Sequence, residues 1–201
     1  MKKILLPFLI ITVFCSSVFA QTKFGFKAGL NLSTIKKTTD NGFTIMPGIN
    51  TGIFSNFYFS KNYFLDVELL HSAKGYNSIL IPSGTTHNFL NYLSVPVLIG
   101  LKAGKKMDFV LGPEFSYLTK ASLKIKTVKN TTTDHYEKYD VGIDFGASYH
   151  LSKKLLLEGR YIFGLSKVTR QFFIYDYSGT DRGYNTSGFN RVLQFNVSFL
   201  F

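Results

Sequence analysis

The chain has 201 residues, enough for one domain, and no stretch in it asks for two. It carries 21 Phe and 12 Tyr but no Trp, and charged residues make up only 17%, below the roughly 25% usual in soluble domains. The formal net charge is +11, yet Lys and Arg are scattered along the chain, which argues against nucleic acid as a partner.

Met1 to Ala20 reads as an export signal. Lys2 and Lys3 form its basic end, Ile4 to Phe14 its apolar run, and Val18-Phe19-Ala20 a small-residue cleavage site. The apolar run is shorter than the roughly 20 residues a membrane-spanning helix needs. Cleavage after Ala20 makes Gln21 the first mature residue and removes two lysines, taking the formal charge from +11 to +9. It also removes Cys15, the only cysteine, and with it any disulfide or thiolate chemistry. Lipid attachment at Cys15 is disfavoured because Thr12-Val13-Phe14 lacks the small residues such a site wants.

From Lys23 onward the chain alternates apolar and polar residues, the period of a β-strand. The first strand, about Lys23 to Ser33, sets Phe24, Phe26, Ala28, Leu30 and Leu32 against Gly25, Lys27, Gly29 and Asn31. A polar loop, KKTTDNG, leads to a second strand, about Ile45 to Phe59, with Ile49, Ile53, Phe57 and Phe59 on the apolar side. After the turn Ser60-Lys61-Asn62, a third strand, about Tyr63 to Ser78, opposes Leu65, Val67 and Leu69 to Asp66 and Glu68. Ile79 to His87 holds Pro82, Ser83 and Gly84 and reads as a loop. The fourth strand, about Phe89 to Ala103, has the cleanest alternation, with a bulge expected at Pro96 because proline cannot donate to a ladder. Gly104 to Lys106 turns the chain into a fifth strand, about Met107 to Ala121, with Phe109, Leu111, Phe115 and Tyr117 outward and Gly112, Glu114 and Ser116 inward. KTVKNTTTDHYEK is polar and reads as a mobile loop. The sixth strand, Tyr139 to His150, turns through Leu151 to Lys154 into the seventh, about Leu155 to Val168. A long segment, Thr169 to Gly188, precedes the last strand, where Leu193, Phe195, Val197, Phe199 and Phe201 oppose Asn190, Gln194, Asn196 and Ser198.

Eight such strands with no helical segment to cover their apolar faces predict an all-β fold: an eight-stranded antiparallel up-and-down transmembrane β-barrel over residues 21–201, its outside covered by lipid. Short turns near Lys61, Lys105 and Lys153 alternate with four long polar connections, the asymmetry of periplasmic turns and outer loops. Both termini are then periplasmic. Most strand glycines fall on the polar parity, Gly159 excepted, and make room in a narrow interior. Aromatic residues gather at two rims, with Phe57, Phe59, Tyr63, Tyr149, Phe199 and Phe201 at one and Phe89, Tyr92, Tyr117, Tyr139 and Phe163 at the other. The positive charge then fits solvated turns or attraction to anionic lipid and lipopolysaccharide phosphates.

VELLHSAKG (Val67 to Gly75), YLSVPVLIGLK (Tyr92 to Lys102), LGPEFSYL (Leu111 to Leu118) and GASYHLSKKLLLEGRYIFGL (Gly146 to Leu165) resemble the successive motifs of the PorT-like outer-membrane β-barrel family. Val67 stands where that family often carries proline, and His71 where it often carries an aromatic residue. The resemblance covers essentially the whole mature chain. It implies a monomer in the outer membrane of a Gram-negative cell, inserted by the barrel assembly machinery, with Phe199 and Phe201 as the assembly signal. A secretion-system partner is the further implication, one most relatives do not carry.

The chemistry in the sequence is an inward set of charges: Lys27, Asp66, Glu68, Lys102, Glu114, Asp144, Glu158 and Arg160. Inside a narrow barrel they should pair, since an unpaired buried charge costs far more than a paired one. The set reads as an ionic plug; a thin conducting path and a catalytic acid–base pair are the alternatives. His71, His87, His135 and His150 lack metal spacing, and no cofactor motif is present. His71-Ser72 and His150 with Ser152 are the neighbours that a lipid-A-modifying barrel enzyme would need. Phe172-Phe173-Ile174-Tyr175 is apolar for an outer segment, either a strand extension or a contact surface. The leading expectation is a non-enzymatic barrel presenting surface loops for structural or interaction roles, with a secretion or uptake component as the second.

Overall fold

The computed structural model describes residues 22–37, 43–80, 84–125, 128–169, 172–175, 181–184 and 188–201. Residues 1–20, read from the sequence as an export signal, lie outside them, and Cys15 with them. So do the side chains of Phe172 to Tyr175, whose backbone alone is described.

The strands are β1 (Thr22–Lys37), β2 (Phe43–Thr44), β3 (Met46–Tyr58), β4 (Tyr63–Leu80), β5 (Gly84–Ala103), β6 (Met107–Ile125), β7 (Val128–Thr131), β8 (Tyr139–His150), β9 (Leu155–Lys167), β10 (Phe172–Tyr175), β11 (Asp181–Tyr184) and β12 (Gly188–Leu200). Eight of them pair antiparallel in the order β1-β3-β4-β5-β6-β8-β9-β12. The ring closes between β12 and β1, from Gly25↔Leu200 to Lys37↔Gly188. The eight-stranded antiparallel barrel read from the sequence is the fold. β2 adds to β4, β7 folds back on β6, and β10–β11 form a separate hairpin. At one end the ring strands are joined by residues 59–62, 104–106 and 151–154, and Gly104 takes φ +78°, a conformation that favours glycine.

Closure pairs the backbone, so side-chain parity decides what each face meets. Phe24, Phe26, Leu30, Ile49, Ile53, Leu111, Phe115, Phe145, Phe195 and Val197 are all exposed on the outside. Lys27, Asn31, Asn50, Glu68, Ser94, Gln194 and Asn196 are buried inside. At the short-turn rim, Phe26 stacks on Phe199 with centroids 5.6 Å apart, and Phe201 lies 6.0 Å from each. Tyr117 and Tyr139 meet at 5.6 Å toward the other rim.

Four expectations change. Of the stretch Ile79 to His87, the described residues are strand and not loop, residues 81–83 lying outside the described ones. β4 and β5 pair up to Leu80↔Gly84, their ends held by Ser78 Oγ and Thr86 Oγ1 at 2.6 Å and His87 Nδ1 and Asn77 Oδ1 at 2.7 Å. Polar side chains bridging facing strands sustain a hairpin without apolar alternation. Nor does Pro96 make a bulge: it pairs with Glu114 in β6, and toward β4 the pairing stops between Val67↔Val97 and Leu70↔Ser94 and resumes in the same register. The bulge sits higher, where Asn91 faces Lys120 and Tyr92 faces Leu118, leaving Thr119 extra; its Oγ1 donates to Asn91 O at 2.9 Å. Nor does the segment Lys126 to Lys138 hang free in its described part. It forms β7 and a 3-10 turn, Thr133–His135, then turns Tyr136 inward to donate from its hydroxyl to Asn88 Oδ1 at 3.0 Å.

The fourth change concerns the interior, which is polar only in its middle. Ile35, Tyr76, Leu90, Tyr92, Leu118, Ala121, Tyr136 and Val168 form one buried apolar cluster toward the long-loop end. Tyr92 is therefore inside the barrel and not part of the outer girdle. Phe54, Leu156 and Leu200, with Phe64, Leu98 and Val110, fill the short-turn end. Two inward glycines make that filling possible: a Cβ on Gly25 would collide with the Phe54 ring, and one on Gly100 with the Phe64 ring. They make room for aromatic rings, not only for charges.

Phe195 lies near the middle of β12, facing out, with Leu30 as its partner in β1. Phe195→Arg should lower the stability of the barrel refolded into lipid vesicles by about 2–4 kcal/mol. Urea unfolding followed by tryptophan-free methods such as gel mobility or circular dichroism measures it.

Candidate functional site

Between the two apolar layers lies a charged band. Lys27 on β1 donates from Nζ to Glu68 Oε1 at 2.7 Å and to Glu158 Oε1 and Oε2, each at 3.2 Å. Arg160 on β9 grips Glu68 on β4 with both ends of its guanidinium, Nη2 to Oε1 at 2.7 Å and Nη1 to Oε2 at 3.2 Å. The same guanidinium reaches Glu158 Oε1 at 3.0 Å and Asp144 Oδ2 at 3.5 Å. β9 and β4 lie four strands apart in either direction around the ring, so this pair spans the barrel's full width. A planar fork matched to a carboxylate is the geometry in which arginine binds most strongly. Arg160 is 1% exposed and Glu68 2%.

A second group sits beside the first. Lys74 on β4 donates to Glu114 Oε1 on β6 at 2.6 Å and stands 3.9 Å from Asp140 Oδ2 on β8. Formally, three cations face six buried carboxylates: Asp66, Glu68, Glu114, Asp140, Asp144 and Glu158. Neutral donors supply part of the difference. Asn196 Nδ2 donates to Glu158 at 2.7 Å, Asn190 Nδ2 to Asp140 Oδ2 at 2.6 Å, Ser166 Oγ to Asp140 Oδ1 at 2.6 Å, and Ser116 Oγ to Glu114 at 2.9 Å. An amide chain extends the band, Asn50 and Gln194 both donating to Asn31 Oδ1. Most of the buried carboxylate oxygens thus meet fixed donors, while Asp66 Oδ1 and Asp144 Oδ1 have no hydrogen-bond partner among the described residues.

Of the eight charges read from parity, the structure buries Lys27, Asp66, Glu68, Glu114, Asp144, Glu158 and Arg160 in the lumen. Lys102 is the correction. It comes one residue before the end of β5, lies at the short-turn mouth, and rests its ammonium 3.9 Å above the Tyr58 ring with no ion pair among the described residues. Sequence reasoning passed over Lys74 and Asp140, which share the inward parity of Asp66 with Glu68 and of Asp144; that parity was the available signal.

Neither His71 nor His150 is hydrogen-bonded to its neighbouring serine. His71 faces outward while Ser72 faces inward, accepting from Asn31 Nδ2 at 3.0 Å. His150 Nε2 lies 2.7 Å from Asp108 Oδ2, whereas Ser152 Oγ accepts the backbone N–H groups of Lys154 and Leu155 in the turn. His87 pairs with Asn77, and His135 is exposed in its 3-10 turn. Among the described residues no group of three or more His, Cys, Asp or Glu is set to hold a metal ion.

The family described as outer membrane protein beta-barrel domain matches residues 19–170. Among solved structures, the chain is similar to Ail, the attachment invasion locus protein of Yersinia pestis, at 11% identity and TM-score 0.52, over 90% of this chain and 99% of that one. It is likewise similar to Neisserial surface protein A, at 14% identity and TM-score 0.51, over 90% of this chain and 97% of that one. At such identities the likeness is one of fold. No curated protein sequence matches the chain.

Removing one partner of a buried ion pair strands the other, so Arg160→Leu should destabilise the vesicle-refolded barrel by about 3–5 kcal/mol. Lys102→Gln, outside the band, should change it by no more than about 0.5 kcal/mol. Paired urea titrations compare them; equal losses would sink the distinction between band and mouth.

Proposed function

The chain belongs to the outer membrane protein beta-barrel domain family, and on that footing we propose that it is a closed, non-enzymatic barrel whose loops carry its structural or interaction role. The observation that carries this is the layered lumen. A charged band braced across the full width by Arg160 and Glu68 lies between apolar clusters at both ends. Ions entering would have to cross both apolar layers and displace cations from fixed carboxylates. Glu68, Glu114, Asp140 and Glu158 are held by Lys27, Lys74, Arg160 and neutral donors between those layers, which supports a bracing role over acid–base catalysis. The short turns face the periplasm and the longer connections the outside, the arrangement of outer-membrane barrels. Phe199 and Phe201, at the short-turn end, serve the assembly machinery during insertion, and the inserted barrel works as a monomer among outer-membrane lipids.

Within the family, the stretches Val67 to Gly75 and Gly146 to Leu165 support a PorT-like assignment. With it comes a second reading, a component of a secretion or uptake assembly. The β10–β11 hairpin, paired among the described residues to no strand of the ring, favours it as a surface for another protein.

In planar bilayers the purified barrel should pass no steady current; a stable single-channel conductance would overturn the closed lumen. Cleavage after Ala20 is also proposed. The intact mass of protein extracted from outer membranes should correspond to a chain beginning at Gln21, and retention of residues 1–20 would refute it.

A further inference from the structure

We propose that the short-turn mouth of the barrel is a binding site for a phosphate-bearing anion. A cavity of about 560 Å³ opens there, lined by Lys23, Lys102, Lys105, Lys106 and Lys153. Among the described residues Asp108 is the one carboxylate in the lining, and it is already engaged by His150 at 2.7 Å. Among the described residues none of the five lysines has a carboxylate oxygen within 4.0 Å. In the lumen, by contrast, Lys27 and Lys74 are each held by two carboxylates.

The mouth lysines are positioned without being neutralised. Lys102 Nζ lies 3.9 Å and Lys23 Nζ 5.5 Å from the centre of the same Tyr58 ring. An aromatic face attracts an ammonium through its quadrupole but carries no countercharge. Two cations brought to one uncharged ring, with three more around the same concavity, leave a strongly positive pocket that a multivalent anion would relieve. The lining contains no arginine fork of the kind that selects a planar carboxylate, only flexible point charges, which suit a tetrahedral phosphate.

Phosphate could arrive as a lipid headgroup or in a soluble molecule. Lys106 lies 5.8 Å from the Tyr149 ring and Lys154 5.7 Å from Phe199, so this rim carries cations beside its outward aromatic rings. Naming the lipid as one of the periplasmic leaflet rests on the orientation proposed above; the site itself does not.

The test uses full-length mature barrel purified from outer membranes in zwitterionic detergent, titrated with inorganic pyrophosphate at low salt. In a second arm it is placed in phosphatidylcholine nanodiscs with and without phosphatidylglycerol, and retained lipid is counted by native mass spectrometry. Pyrophosphate binding assigns a soluble phosphate, and selective retention of phosphatidylglycerol without pyrophosphate binding assigns the headgroup. In either case Lys23→Gln/Lys102→Gln should weaken binding about tenfold. Lys120→Gln/Lys124→Gln, the same charge change toward the opposite end, should alter it by less than about twofold. Gel mobility before and after heating confirms that both variants fold. Binding of neither ligand, or equal losses in the two double variants, overturns the site. Orientation is read separately: Lys105→Cys should resist a membrane-impermeant maleimide in intact cells, and its labelling would overturn the leaflet assignment while leaving the anion site standing.

Discussion

A β-ladder closed on itself leaves the side chains to choose between two surroundings, and in this ring the choice alternates residue by residue. β1 pairs with both β12 and β3 along most of its length, and the observed register keeps Phe24, Phe26 and Leu30 outside and Lys27 and Asn31 inside. A one-residue slip would place Lys27 in hydrocarbon and Phe26 among carboxylates. Membrane and lumen therefore impose the same side-chain parity from opposite sides. An eight-stranded ring also has an interior that side chains must fill, which makes volume as strict a condition as polarity.

The lumen meets both conditions by layering. Apolar side chains at either end exclude water from the middle, and that exclusion changes the worth of the charges between them. In a dry, low-dielectric band a paired charge is held firmly and an unpaired one is very costly. Arg160 answers with a bidentate grip on Glu68 from the opposite wall, and Asn196, Asn190, Ser166 and Ser116 serve carboxylates that cations do not fully satisfy. Such a band is a weak argument for net stability, because well-packed hydrophobic residues could do as well. Its stronger consequence is specificity: Arg160 and Glu68 meet only when eight strands are in one register around the whole ring.

The alternation that sets this parity was plain in the sequence, and so were the ring, its strand count and the side of the wall most strand residues face. Position along the strand was not. Parity placed Lys102 with Lys27, although one sits at the mouth and the other in the middle. Aromatic clustering near strand ends, not parity, put Tyr92 in an outer girdle; its parity pointed inward, where it lies. Leu90, Phe54, Phe64 and Leu156 lie on inward parity too, and reading that face as uniformly polar hid the apolar layers. Thr119 was out of reach for a different reason: a bulge is a relation between two strands, and neither one alone displays it. Pro96 misled in the opposite direction, since a ladder asks each residue to donate on one side only, and its missing donor falls toward β4 where two pairs lapse.

Depth also decides what a lysine can do. Lys27, Lys74 and Lys102 share one residue type and one inward parity, yet the first two are locked to carboxylates and the third is held only by an uncharged ring. The apolar layer of Phe54, Phe64, Leu98, Val110, Leu156 and Leu200 is the boundary between those fates. On its inner side solvent is excluded, so a cation must carry its counter-ion with it in the fold. On its outer side water tolerates an unpaired ammonium, and five of them can share a cavity without unfolding the strands that bear them. The same layer that seals the lumen thereby leaves the mouth free to meet charge from outside the chain.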